Sequence, residues 1–262
     1  MSKRWPRFNF SLIWQLTKRE TLQRYRGSLL GMTWTILGPL LLLSVYAFTF
    51  SEIFPSRWAS MHGKNDFAVM IFCGMIFYGL FGDCVGRAPG LILANPNYVK
   101  KVIFPLHILP VVSVLAALIQ LAINVVVLEI FVAIFLHRIP LTVPLAIFPL
   151  LALAALCLGL SWLLASLGTF LRDIGQVIGI ILSMLFFLSP VLYPLAAVPD
   201  KYRAWVKLNP LTPIIENARR TLVTGEVPSI GDLVWPSILG MAVAGLGLFW
   251  FLKTKKGFAD VM

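Results

Sequence analysis

Charge is what this sequence has least of, and negative charge least of all. Only 13% of its 262 residues are charged, against about 25% in an ordinary soluble domain. Lys and Arg outnumber Asp and Glu by 22 to 11. Acids this sparse give no loop with paired carboxylates, and no Ser, His and Asp set gathers in one loop. The three histidines, His62, His107 and His137, lie far apart and lack metal-ligand spacing. Cys73, Cys84 and Cys157 are odd in number and sit inside apolar stretches, which excludes a disulfide framework and leaves small core residues. No G-x-x-x-x-G-K-S/T phosphate loop occurs, and HGKND at His62 is not one. The chain is therefore expected to bind no metal or cofactor and to carry no catalytic site of its own. A signal peptide is also missing, because Lys3, Arg4 and Arg7 are followed by no compact apolar run before Leu29. Insertion is expected to use the first span itself.

What the sequence does have is apolar length. Hydrophobic residues make up 59%, and runs of about 18 or more recur, the mark of a polytopic membrane protein. The expected fold is all-α, with six transmembrane helices at about 29–51, 67–94, 107–136, 143–170, 174–194 and 232–252. One transmembrane domain, 29–252, is expected between a segment 1–28 with an interfacial helix and a tail 253–262. Most of the Lys and Arg fall before Arg26, between Arg87 and Lys101, at Arg172, and in the tail at Lys253, Lys255 and Lys256. The positive-inside rule then places both termini in the cytoplasm of a multi-pass protein of the cytoplasmic (inner) membrane. That placement explains most of the net charge of +11 and excludes nucleic acid as its reason.

Phe8, Leu12 and Leu16 recur every four residues, with Lys18, Arg19, Arg24 and Arg26 around them. Such a helix lies at a membrane surface with its cations near anionic headgroups. Gly27 and Gly31 let the chain turn into the first span, and Trp34 anchors near the interface. Gly82, Gly86, Gly90 and Ala94, and again Gly175, Gly179 and Ser183, predict close helix approach and contact with a second copy. Asp83 and Arg87, four apart, form an intramembrane pair. Gln120 and Asn124 are also four apart, with Glu129 further along the same span. Aromatics gather toward the outer side at Tyr46, Phe48 and Phe50, at Phe77, Tyr78 and Phe81, and at Phe186, Phe187 and Tyr193. Lipid contact, core packing and stacking on sugar faces all use such rings.

Two connections carry their own signals. In 95–105, Asn95 and Pro96 end one helix and Pro105 precedes the next, leaving a short basic segment. The longest gap, 195–231, is broken by Pro199, Pro210 and Pro213. Thr212 is a candidate cap, Gly225 a terminator, and Ile214, Ile215, Ala218 and Leu222 an apolar side. Two short re-entrant helices between spans 5 and 6 are expected, with Glu216 pairing Arg219 or Arg220.

RYRGSLLGMTW (24–34), NPNYVKKVIFPLHILP (95–110), LRDIGQVIGIILSMLFFLSPVLYPLAAVP (171–199) and LNPLTPIIENARRTLVTG (208–225) resemble, in order, segments of ABC-2-type exporter permeases. The branch they resemble most exports polysaccharides: O-antigen, capsule and teichoic acid. The resemblance implies a homodimer with two copies of a separate ABC ATPase subunit, which binds the ATP and Mg. It implies a lipid-linked polysaccharide as substrate, most simply O-antigen. Asn95, Asn97, Tyr98, Lys100 and Lys101 would couple to the ATPase. Lys18, Arg19, Arg24 and Arg26 would meet a lipid diphosphate or the partner. Tyr46, Phe77, Tyr78, Phe81, Phe187 and Tyr193 would line the channel, and Trp205, Ile215, Glu216, Arg219 and Arg220 would form a gate. The rivals are an exporter of teichoic acid, capsule or a small molecule or drug, and a membrane-embedded transferase on a polyprenyl-linked lipid using Asp83 and Asp173.

Overall fold

The computed structural model describes residues 10–24, 27–49, 66–99 and 104–261. Arg26, Lys100, Lys101, Phe8 and Phe50, singled out above, lie outside them. The described residues form α1 (Phe10–Gln23), α2 (Trp34–Phe48), α3 (Asp66–Arg87), α4 (Pro96–Val99), α5 (Ile108–Leu136), α6 (Ile147–Phe170), α7 (Ile174–Leu188), α8 (Asp200–Leu208), α9 (Leu211–Arg219), α10 (Ile230–Thr254) and α11 (Phe258–Val261). Five stretches are long and apolar enough to cross a bilayer: Gly31–Phe48, Phe67–Gly90, Ile108–Leu136, Val143–Phe170 and Ile230–Gly257.

The span expected over 174–194 is shorter as a helix. The helix α7 has 15 residues, about 22 Å at 1.5 Å per residue, and then gives way to non-helical chain at Ser189. It nevertheless runs nearly the whole length of α3. Gly175 lies against Pro89 at one end of α3, and Val191 reaches Arg219 beside Gly74 near the other. The end holding Arg24, Arg87 and the C-terminal α11 is called the basic end here, and the opposite one the far end.

The α3 helix is the axis of the bundle. Residues 67–74 are buried on every side, so this stretch reads as a continuous apolar run without an amphipathic stripe. Its neighbours are α2, α5, α6, α7 and α9. The most extensive close packing lies between the parallel helices α6 and α10. Gly159 lies against the backbone of Val243 and Ala244, Gly247 against Gly159, and Gly240 sits 3.0 Å, measured from an added Cβ, from the Ala152 carbonyl. Small residues at 155 and 159 and at 240, 244 and 247 allow this approach.

The series first expected to do so behaves differently. Gly86 meets only a Leu182 side chain, and Gly90 and Gly179 meet nothing from another helix. Their side of the bundle is open in a single copy.

Candidate functional site

At the basic end, α1 lies across the start of α5. Ile13 and Thr17 are buried against Ile108 and Val112, with Leu12 and Leu16 at the margin. Thr17 tolerates burial because its hydroxyl donates to the Ile13 carbonyl at 2.8 Å. Phe10 and Trp14 stay exposed on the other side. The stripe expected at Leu12 and Leu16 is thus rotated by one position, because α5, and not lipid alone, receives it.

This seating carries Arg24 to α3. One of its Nη groups donates to Asp83 Oδ2 at 2.8 Å, while Arg87 Nε holds Asp83 Oδ1 at 2.7 Å. One carboxylate therefore bridges two guanidiniums. The Arg24 side chain is 14% exposed and that of Arg87 47%. Arg24 Nε is buried with no hydrogen-bond partner among the described residues. Burial pushes the Glu20 carboxyl above its usual range, although Arg24 and Arg87 pull it down. Glu20, Arg24 and Arg87, together with Gln23, Asn95 and Ser113, line a cavity of about 630 Å³. Asp173, the other acid suggested for transferase chemistry, is exposed and does not line this cavity.

A second cavity, about 430 Å³, adjoins the first and is lined by Arg19, Asn95, Asn97 and Tyr98. Arg19 donates to the Tyr98 hydroxyl at 3.4 Å, and the Tyr98 ring stacks on Phe104 at 4.3 Å between centroids. Residues assigned from sequence to two separate tasks thus share one surface. Lys18 is exposed beside them.

At the far end, α8 and α9 are the two short helices expected between spans 5 and 6. Leu211, Ile214, Ile215 and Ala218 of α9 are buried. The chain continues as a π-helical turn, Arg220–Thr224, and stops at Gly225, whose φ of 78° suits glycine. Trp205 on α8 is exposed.

Arg219 is among the largest fully buried side chains of the protein. Its Nε donates to the Met70 carbonyl at 3.0 Å, and its two Nη groups to Pro190 at 2.7 Å and Val191 at 2.6 Å. It also pairs with Glu216 at 2.9 Å. Gly74 makes room: a Cβ there would come within 2.8 Å of the guanidinium. Arg220 instead faces Asp232 at 3.8 Å.

The aromatics divide. Phe77, Tyr78 and Phe81 are buried, and Tyr78 donates from its hydroxyl to the Leu182 carbonyl. Tyr46 and Tyr193 are half-buried, and Phe187 is exposed. Sequence reasoning missed both long-range arginine contacts. Arg219 left a trace, since it shares a face with Thr212 and Ile215 at spacings of seven and four. Arg24 left none, with its partner 59 residues away.

Five apolar membrane-length helices, α3 among them, with two charged clusters at opposite ends and a pair of short helices at one of them, define a polytopic α-helical membrane protein. The chain belongs to the ABC-2 type transporter family, which it matches over residues 11–223. It is 24% identical over 258 residues to the O-antigen export system permease protein RfbA of Klebsiella pneumoniae, covering 97% of this chain and 95% of that one. It is 26% identical over 258 residues to the RfbA permease of Myxococcus xanthus, covering 95% and 94%. The polysialic acid transport protein KpsM of Escherichia coli is 24% identical over 238 residues, covering 88% of each chain.

Proposed function

We propose that this protein is the permease subunit of an ATP-driven exporter that moves a lipid-linked polysaccharide, O-antigen in the first instance, across the cytoplasmic membrane. The observation that carries the reading is the end-to-end likeness to permeases named for O-antigen export. The basic end faces the cytoplasm, as the positive-inside rule requires, and both termini lie there. Two copies face each other, with the open Gly82–Gly90 side of α3 available for that contact. ATP and Mg are held by a separate ATPase subunit, also in two copies. The surface shared by Arg19, Asn95, Asn97 and Tyr98, continued by Lys100 and Lys101, receives its motion.

Arg24 and Arg87 meet the lipid diphosphate, because guanidinium binds phosphate oxygens in a bidentate fork. Asp83 holds both until the phosphate replaces it. The far-end segment 195–231 is the gate. Arg219 fastens α9 to the far end of α3, and Asp83 sits near its basic end, so α3 is a lever between the ATPase surface and the gate. The test is deletion of the gene followed by gel analysis of surface polysaccharide. Loss of the polymer, with lipid-linked polymer retained inside, is the expected result. An unchanged surface polymer refutes the reading.

A further inference from the structure

We infer that the far end holds a binding pocket for a single sugar unit, between α9 and the first turns of α10. This rests on the polysaccharide reading above and adds a place where the polymer is recognised. The pocket is a cavity of about 320 Å³, at the small end of the roughly 300–1,000 Å³ typical of ligand sites. It has room for a monosaccharide and not for an extended oligomer.

Its lining has the chemistry a pyranose needs. Trp235 contributes an indole left half-exposed, at 47%. Sugar C–H faces stack on such rings, and the indole N–H remains a donor. Around it stand Lys207, Glu216, Arg220 and Asp232. Arg220 and Asp232 are 3.8 Å apart, too far for a direct hydrogen bond. Each therefore keeps capacity for a hydroxyl placed between them. Glu216 gives Oε1 to Arg219, which fixes the carboxylate and leaves its other oxygen for the cavity. Lys207 has no ion-pair partner among the described residues.

The lining carries Lys207 and Arg220 beside Glu216 and Asp232, and Glu216 is shared with the buried Arg219. Donors and acceptors of both kinds beside an aromatic face suit a polyhydroxyl ligand. The structure also supplies rigidity. Asn217 donates to the Pro213 carbonyl at 2.8 Å and accepts from the Ser229 backbone at 2.6 Å. It thereby ties the two walls together below the cavity. The walls are the gate helix itself, so a sugar seated here would be bound where the polymer leaves.

The test uses the full-length chain with its partner ATPase in nanodiscs of phosphatidylglycerol. Saturation-transfer NMR is recorded with free D-mannose, D-galactose and N-acetyl-D-glucosamine. At least one sugar should receive saturation at the C–H protons of one ring face, with millimolar affinity. Trp235→Ala should abolish the transfer. Asp232→Asn, at an exposed position, should weaken binding about tenfold or more by removing a charged acceptor. Trp250→Ala, exposed near the other end of α10 and outside the cavity, should change nothing.

Absence of transfer with every sugar overturns the proposal, as does transfer unaffected by both Trp235→Ala and Asp232→Asn. Displacement of the sugar by millimolar phosphoethanolamine overturns it too, because the pocket would then be a zwitterionic headgroup site. The polysaccharide reading is judged separately, by surface polymer in the deletion strain. Missing sugar binding with polymer export intact sinks the pocket alone.

Discussion

Two arginines fasten two peripheral helices to the same central helix, and they do so in opposite ways. Arg24 ties α1 to the basic end of α3 through the Asp83 carboxylate, beside a cavity and with Arg87 half in water. Arg219, itself buried, ties α9 to the far end of α3 through the Met70 carbonyl and to the chain after α7 through the Pro190 and Val191 carbonyls, and pairs with Glu216 of its own helix. A charge pair at the edge of water is weak and exchangeable, worth about 0–1 kcal/mol when exposed. A buried guanidinium that satisfies three carbonyls and a carboxylate is costly to disturb, because removal orphans its partners. The pair at the basic end stands beside a cavity, whereas the far end is held to α3 by a buried guanidinium.

Breaking the far-end anchor should have the largest effect. Arg219→Leu would leave three carbonyls and the Glu216 carboxylate without their donor, a loss of about 3–5 kcal/mol. In detergent the variant should lose its cooperative thermal transition or unfold well below the parent. An unaltered midpoint would remove the contrast between the two ends.

The next effect sharpens the comparison by leaving both arginines intact. Gly159→Ala places a methyl group against the Val243 and Ala244 backbone and should cost about 1–3 kcal/mol through overpacking. Gly179→Ala, where a Cβ meets nothing within 4 Å, should leave the stability of one copy unchanged. Chemical unfolding of the two variants side by side decides whether α6 and α10, and not the 175–183 series, form the close-packed seam.

Arg24→Ala should be milder still for stability, about 1 kcal/mol or less, yet should abolish polymer export. The readouts are thermal unfolding and surface polysaccharide. Normal export by this variant would take Arg24 out of the phosphate role.

The smallest effect tests the electrostatics of the cavity. The Glu20 carboxyl is raised by burial, so the folded state holds its proton more tightly than the unfolded chain does. Stability contributed by this site is therefore fully present below the unfolded value and falls as pH rises through the folded one. Glu20→Gln should remove that decline, giving a slightly higher midpoint than the parent near pH 7 and the same midpoint near pH 4. A variant less stable than the parent at pH 7 would mean that attraction to Arg24 and Arg87 outweighs desolvation.

How much of this was legible in the sequence depended on range. Apolar run length alone separates α3, α5, α6 and α10, because a membrane core demands about 20 residues whatever lies beside them. Pro199, Pro210 and Gly225 bound the short helices α8 and α9 with the π-helical turn through local backbone preference. The Asp83–Arg87 and Glu216–Arg219 pairs follow from helical spacing. The packed seam was misplaced, since glycines every four residues in α3 and α7 make close approach possible without saying which neighbour arrives. The actual pairs, Gly159 and Gly247 with their opposite backbones, come from helices about 90 positions apart.

The sequence by itself determined the class of protein, the position of its apolar segments, the excess of cations near its termini, and the short-range pairs. These depend on transfer free energies and on 3.6-residue geometry, which act residue by residue along a chain. The tertiary structure alone decided which acid Arg24 meets and which carbonyls Arg219 satisfies. It also brought the α1 cations to the surface of Asn95 and Tyr98, and Lys207, Trp235 and Asp232 to one cavity. Those outcomes depend on how helices far apart in sequence are juxtaposed, because a buried donor takes whatever acceptor the packed neighbour presents within about 3 Å.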